Sequence, residues 1–154
     1  MMKLKRIIIT VGLVMALTSS CAVSTAASND SNLPPQSEEN AVGGWDEDTG
    51  YFFNVSEYNN ALEESQVLPA SSPIHSGEKI KDDSTGTTRF AAHGWTVWTG
   101  VYHYTRARME NRKGTIVYTD SNRIWDVSGT EAYSPWWYWS VGDESIARTY
   151  YGNS

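Results

Sequence analysis

The spacing of apolar residues changes character along the chain. Ile7 to Thr18 form a largely apolar run, residues 27 to 88 hold scattered apolar positions, and from Phe90 onward apolar and polar residues alternate. A period of two places successive side chains on opposite faces of a strand. The longest alternating stretch is HGWTVWTGVYHYTRARM. In it Val97, Thr99, Val101, His103, Thr105 and Ala107 fall on one side, and Trp98, Gly100, Tyr102, Tyr104, Arg106 and Arg108 on the other. Gly100 predicts a bend or bulge partway, where a strand can pass from one sheet to another.

ENRKGT follows as a turn, with Gly114 free to take a positive φ, and TIVYT (115–119) returns as a β-branched strand. RIWD makes a short element around Trp125. EAYSPWWYWS comes next, and SIARTYYG (145–152) sets Ile146, Arg148 and Tyr150 against Ala147, Thr149 and Tyr151 as the last strand. No segment after residue 89 carries a sustained helical stripe. The pattern predicts an all-β domain over 89–154, a small antiparallel β-sandwich or barrel. A domain of that size without disulfides is marginal. Large rings compensate, since each buries about 150–250 Å², so Trp95, Trp98 and Trp125 are expected in the core.

Upstream the composition is that of a linker. Residues 27–44 are rich in Ser, Asn, Pro, Gly and carboxylates and are expected to be disordered. Residues 50–68 have the apolar content for a short strand and a short helix, with Asn54 or Ser56 as cap, and 69–88 return to loop chemistry. The expected division is a signal peptide (1–26), an acidic, largely disordered linker or pro-segment (27–88) and the β domain (89–154).

The signal peptide is read from Lys3, Lys5 and Arg6, the apolar run, and small residues after it, with Ser24 and Ala26 placing cleavage after Ala26. The run is too short to span a bilayer, which takes roughly 20 apolar residues. A lipoprotein signal acylated at Cys21 is the rival, although Thr18 stands where such a signal wants an aliphatic residue. Cleavage after Ala26 removes the sole cysteine, excluding disulfides and cysteine-bound metal. Export without cysteine suits a Gram-positive bacterium.

Charge sharpens the division. Residues 27–85 carry twelve acidic and two basic side chains, whereas 86–154 carry six acidic and seven basic. The acidic part reads as a spacer, a removable pro-segment, a soluble tail or a shield over a cationic face of the second half, though salt screens exposed charges beyond about 8 Å. Net negative charge also disfavours nucleic acid as a partner.

YSPWWYWS concentrates three tryptophans and two tyrosines in eight residues. Alternation puts Trp137 and Trp139 on one face, Trp136 and Tyr138 on the other. Pro135 favours an edge or loop. One pair is therefore expected in the core and the other exposed, for ligand. A second candidate surface is the strip of Tyr102, Tyr104, Arg106 and Arg108. Guanidinium groups suit phosphates, and exposed rings suit the apolar faces of sugars. The plainer reading of that strip is a solvated strand whose arginines pair with Glu110, Asp120 and Asp126.

Tyr102-His103-Tyr104, Arg106 and Arg108, Trp125, and Tyr150-Tyr151, behind an export signal, resemble the lactococcin 972 family of secreted bacteriocins over about residues 90–154. The long acidic insert, the absence of a second histidine after the basic residues and the PWWYW cluster depart from that family. The resemblance implies a small β-sandwich without disulfides that binds the cell-wall precursor lipid II and blocks septum synthesis. It also implies dedicated immunity and transport proteins as partners.

Enzymatic readings find little support: a Gly-rich phosphate loop, HExxH, GxSxG and a nucleophilic cysteine are all missing after residue 26. Asp120, Asp126 and Glu131 are the carboxylates available for a hydrolase pair. His75, His93 and His103 are too dispersed for a three-ligand metal site, and neither metal nor cofactor is expected. The alternative to an antibacterial protein is a non-toxic secreted or cell-surface module that binds glycan or protein through an aromatic patch.

Overall fold

Two antiparallel sheets face each other across a seam of alanines. The computed structural model describes residues 38–64 and 72–154. In chain order these form β1 (Gly43–Asp46), β2 (Gly50–Phe53), α1 (Val55–Glu64), β3 (Ile74–Asp82), β4 (Arg89–Val97), β5 (His103–Asn111), β6 (Val117–Asp120), β7 (Ile124–Asp126), β8 (Gly129–Tyr133), β9 (Trp137–Tyr138) and β10 (Ser145–Gly152). The first sheet runs β2-β1-β10-β5-β6, with β7 also on β5; the second runs β3-β4-β8, with β9 also on β4. The expected all-β antiparallel sandwich is the fold found.

Its centre is made of small residues. Ala92, Ala107, Met109, Ala132 and Ala147 form a buried cluster, with Trp45, Phe90, Tyr118 and Trp137 packed around it. Small residues on both inner faces let the sheets approach closely: a Cβ on Gly94 would lie 2.6 Å from the Thr149 side chain. A second cluster joins Val42, Trp98, Val101 and Tyr151 to Ala61 of the helix. Asn54 caps that helix, its Oδ1 accepting from Glu57 N at 3.2 Å.

A polar chain also crosses the seam. His75 Nε2 lies 2.8 Å from Thr149 Oγ1 and Nδ1 2.9 Å from Thr96 Oγ1; Thr105 Oγ1 links Thr96 to Thr130 at 2.5 and 2.6 Å. Burial lowers the His75 pKa to about 3, so the ring is a neutral hydrogen-bonding member of the core.

The predicted long strand is two strands. β4 belongs to the second sheet and β5 to the first, and Gly100, at φ 79°, sits in the turn between them. Trp98 plugs that corner, fully buried, and its carbonyl accepts from Val101 N at 3.2 Å. Crossing the corner reverses the alternation. Val97 lies exposed on the outside of its sheet, whereas His103, Thr105 and Ala107 are buried.

The expected domain start at residue 89 does not hold, because β1, β2 and β3 all lie in the sheets. β1 stands between β2 and β10, and β3 pairs with β4 over nine residues, Ile74↔Val97 to Asp82↔Arg89. Composition concealed both. The inward positions of β3 are His75, Gly77 and Lys79, with Lys81 on the same side but exposed, and they show no apolar alternation. The carboxylates that made 27–44 look disordered include Glu38, which is buried. The expected signal peptide, its cleavage site and Cys21 lie outside the described residues.

Candidate functional site

The cationic strip expected on β5 lies on the outer face of the first sheet and is covered there rather than open to solvent. Tyr104 is fully buried, Arg108 nearly so, and only Tyr102 remains open, stacked on Trp125 at 5.1 Å. Arg106 donates to Asp120 from Nε at 2.9 Å and to Glu38 from Nη1 at 2.8 Å. Arg108 reaches Glu38 at 3.0 Å and Asp120 at 3.1 Å. Arg123 meets Glu38 at 2.8 Å, and Arg148 is held by Asp46 at 2.5 Å and Glu110 at 2.9 Å. Four guanidinium groups and four carboxylates thus satisfy one another. Burial acts to raise the Asp120 pKa, but hydrogen bonds from Arg106 and the Asn122 backbone and the nearby arginine charges hold it below its ordinary value.

Asp120 and Glu110 are the partners expected for these arginines; Asp126 is not, and Glu38 and Asp46 come from the acidic half. The same placement disperses the carboxylates proposed for hydrolysis. Asp120 is committed to arginines, Asp126 pairs in register with His103 at β7, and Glu131 lies on the other sheet. Among the described residues no group of His, Cys, Asp and Glu is arranged to hold a metal.

WWYW divides, though not wholly as alternation implies. Trp137 turns inward, stacking on Tyr118 at 4.4 Å and donating from Nε1 to Asp143 at 2.6 Å. Trp136 and Tyr138 face out, Trp136 beneath the Arg89 guanidinium at 4.6 Å. Trp139 is exposed as well, because β9 ends at Tyr138 and the strand period ends with it.

The open surface next to these rings is the outer face of β3, β4 and β8. Strand register sets it out in rows: Glu78–His93–Tyr133, then Ser76–Trp95, with Glu131 across from Trp95. His93 is clamped. Its Nδ1 lies 2.8 Å from Glu78 Oε1 and its Nε2 2.8 Å from Glu131 Oε1. Tyr133 lies flat on the imidazole, centroids 4.0 Å apart and planes 6° from parallel, and its hydroxyl donates to Glu131 at 2.8 Å. That hydrogen bond, and then His93, hold the Glu131 pKa below its ordinary value, and the same bond raises that of Tyr133.

Trp95, expected in the core, is 38% exposed here, and Tyr133 is 54% exposed. Beside Trp95 lies a depression of about 420 Å³ lined by Val97, Gly129, Thr130 and Glu131. Arg89 and Asp82 close the far end of the face with a 2.5 Å ion pair. The arrangement offers flat rings for stacking and fixed acceptors around them.

Trp95, Tyr133, His93 and Glu78 escaped the sequence reading as site residues. The available signal was the alternation of Ala91, His93, Trp95 and Val97, which marks one face of one strand but not whether that face is inner or outer. In comparisons with known proteins, no family model, curated protein or solved structure matches the chain.

Proposed function

We propose that the protein is an exported, non-enzymatic glycan-binding module that engages its ligand through the outer face of β3, β4 and β8. The observation that carries this reading is the exposed Trp95 and Tyr133 held around His93, Glu78 and Glu131 on a rigid sheet. Pyranose rings present apolar C–H faces to such rings while their hydroxyls need polar partners at the edge, and a large exposed aromatic patch on a small domain calls for a partner. The test is co-sedimentation of the full-length protein with insoluble peptidoglycan. The wild type should pellet. A Trp95→Ala/Tyr133→Ala variant with an unchanged fold should stay in solution, and equal pelleting of the two would overturn the assignment.

A secreted antibacterial protein that binds lipid II is the second reading, favoured by the sugar-stacking chemistry of the same face. Its phosphate ligands would not be Arg106 and Arg108, which are committed to carboxylates; Arg89, beside the aromatic face, is paired with Asp82, and a phosphate would have to displace that carboxylate. Growth inhibition and septum defects in Gram-positive cells treated with residues 27–154 support this reading, and binding without inhibition supports the module. Mass spectrometry of the exported form should show an N-terminus at Ala27 and no lipid; an acylated Cys21 would instead place it at the membrane.

A further inference from the structure

We propose that the outer face of β3, β4 and β8 selects glycans bearing free, protonated amino groups over neutral or acidic ones. This rests on the reading of that face as a glycan site and specifies its ligand. Glu78 and Glu131 carry side chains that are 55% and 58% exposed, and both carboxylates share one imidazole. Two carboxylates against one ring that carries at most one positive charge leave the cluster negative whatever the state of His93. Relief from elsewhere on the face is lacking: Arg89 is paired with Asp82, and Lys79 turns to the other side, to Glu47. Among the described residues neither Glu78 nor Glu131 has a lysine or arginine partner.

The hydrogen bonds on both carboxylates fall on Oε1, leaving Oε2 of each without a protein donor among the described residues. An ionised carboxylate oxygen only accepts, and an ammonium group only donates. A sugar hydroxyl does both and gains less from such a pair. The rings act in the same direction. Tyr133 has one face on His93 and is otherwise open, Trp95 stands across from Glu131, and the negative face of an aromatic ring attracts a cation. The depression beside Trp95 is at the small end of ligand sites, which suits one amino sugar of a chain rather than a long helix or strand.

The test is calorimetric titration of the full-length protein with a β-1,4-linked glucosamine tetramer, its fully N-acetylated counterpart and a uronic acid tetramer. The glucosamine tetramer should bind about tenfold tighter than the acetylated one, the size expected of two partly exposed ion pairs. The uronate should not bind, and added salt should shrink the preference. Glu78→Gln/Glu131→Gln should abolish the preference, bringing the ratio of the two tetramers' affinities to about one whatever happens to the acetylated tetramer's own affinity. If that variant fails to fold, the salt dependence of the wild type decides. Equal or tighter binding of the acetylated tetramer, or a salt-independent preference, would overturn amine selectivity and leave the glycan reading standing. Binding of none of the three overturns both.

Discussion

The outer faces of the two sheets are built from the same residue types and end up opposite in character. On the first, Tyr104, Arg106, Arg108, Arg148 and Tyr150 are covered and matched by Glu38, Asp46, Glu110 and Asp120. On the second, Trp95, Tyr133 and Tyr138 stay open and two carboxylates share a single histidine. Matching of charge separates the two. Ions under cover must be paired and hydrogen-bonded, so the sealed face has no valence left for a ligand, whereas the open one retains a charge imbalance among aromatic rings. Arginine next to tyrosine is therefore weak evidence of a binding strip until its carboxylate partners have been counted.

The two faces should respond differently to perturbation, and the largest difference concerns the strands that the acidic half supplies. Residues 89–154 expressed alone lack β1, β2 and β3, and with them Glu38 and Asp46. That fragment should show no cooperative thermal transition, and a sharp one would mean that the acidic half only decorates the sandwich.

Arg148→Ala comes next, since it leaves Asp46 buried without its guanidinium and takes one of the cationic partners from Glu110. It should cost about 3–5 kcal/mol in chemical denaturation. Glu131→Gln on the open face should change stability by less than about 0.5 kcal/mol. Equal effects would erase the distinction between the faces.

Within WWYW the expected ordering is similar but smaller. Trp137→Ala removes a ring packed between the sheets and should cost about 3 kcal/mol. Trp136→Ala, Tyr138→Ala and Trp139→Ala should each cost less than about 1 kcal/mol, measured in the same denaturant series.

Smaller than the loss at Trp137 is a pH dependence carried by His75. Its folded pKa is lowered from 6.5 to about 3, so the unfolded chain takes the proton first. The contribution is fully present above pH 6.5 and is lost as pH falls from there toward 3. At pH 5 the loss is about 2 kcal/mol. His75→Gln should remove that part of the decline between pH 7 and 5, and an unchanged slope would show that the ring is hydrated in the native state.

The pattern of residues was enough for the sheets after residue 89 and for the change of sheet at Gly100, because apolar alternation and a glycine with positive φ are local properties. The division of WWYW was half legible: Pro135 and the period of two gave Trp137 against Trp136 and Tyr138, but not the end of β9 that frees Trp139. β1 and β3 were illegible for a physical reason. Apart from Trp45, their inward positions hold glycine, histidine and lysine, and what stabilises them is a partner far along the chain, such as Thr149 for His75 and Arg148 for Asp46. The open face was missed through Trp95, since a lone tryptophan in a strand carries no mark of which side is solvent.

The deciding question is whether the open face of the second sheet or the arginine-rich face of the first meets the ligand. Among the chain's seven tryptophans, Trp95 lies on the open face, while Trp98 and Trp137 lie inside and Trp125 stacks beside Tyr102 on the first sheet. Indole N–H resonances recorded by NMR during titration with the glucosamine tetramer report on all of them at once. If the open face binds, Trp95 shifts progressively and saturably, with Trp98, Trp125 and Trp137 unmoved. A saturable shift of Trp125 with Trp95 unmoved would contradict it and return recognition to the first sheet.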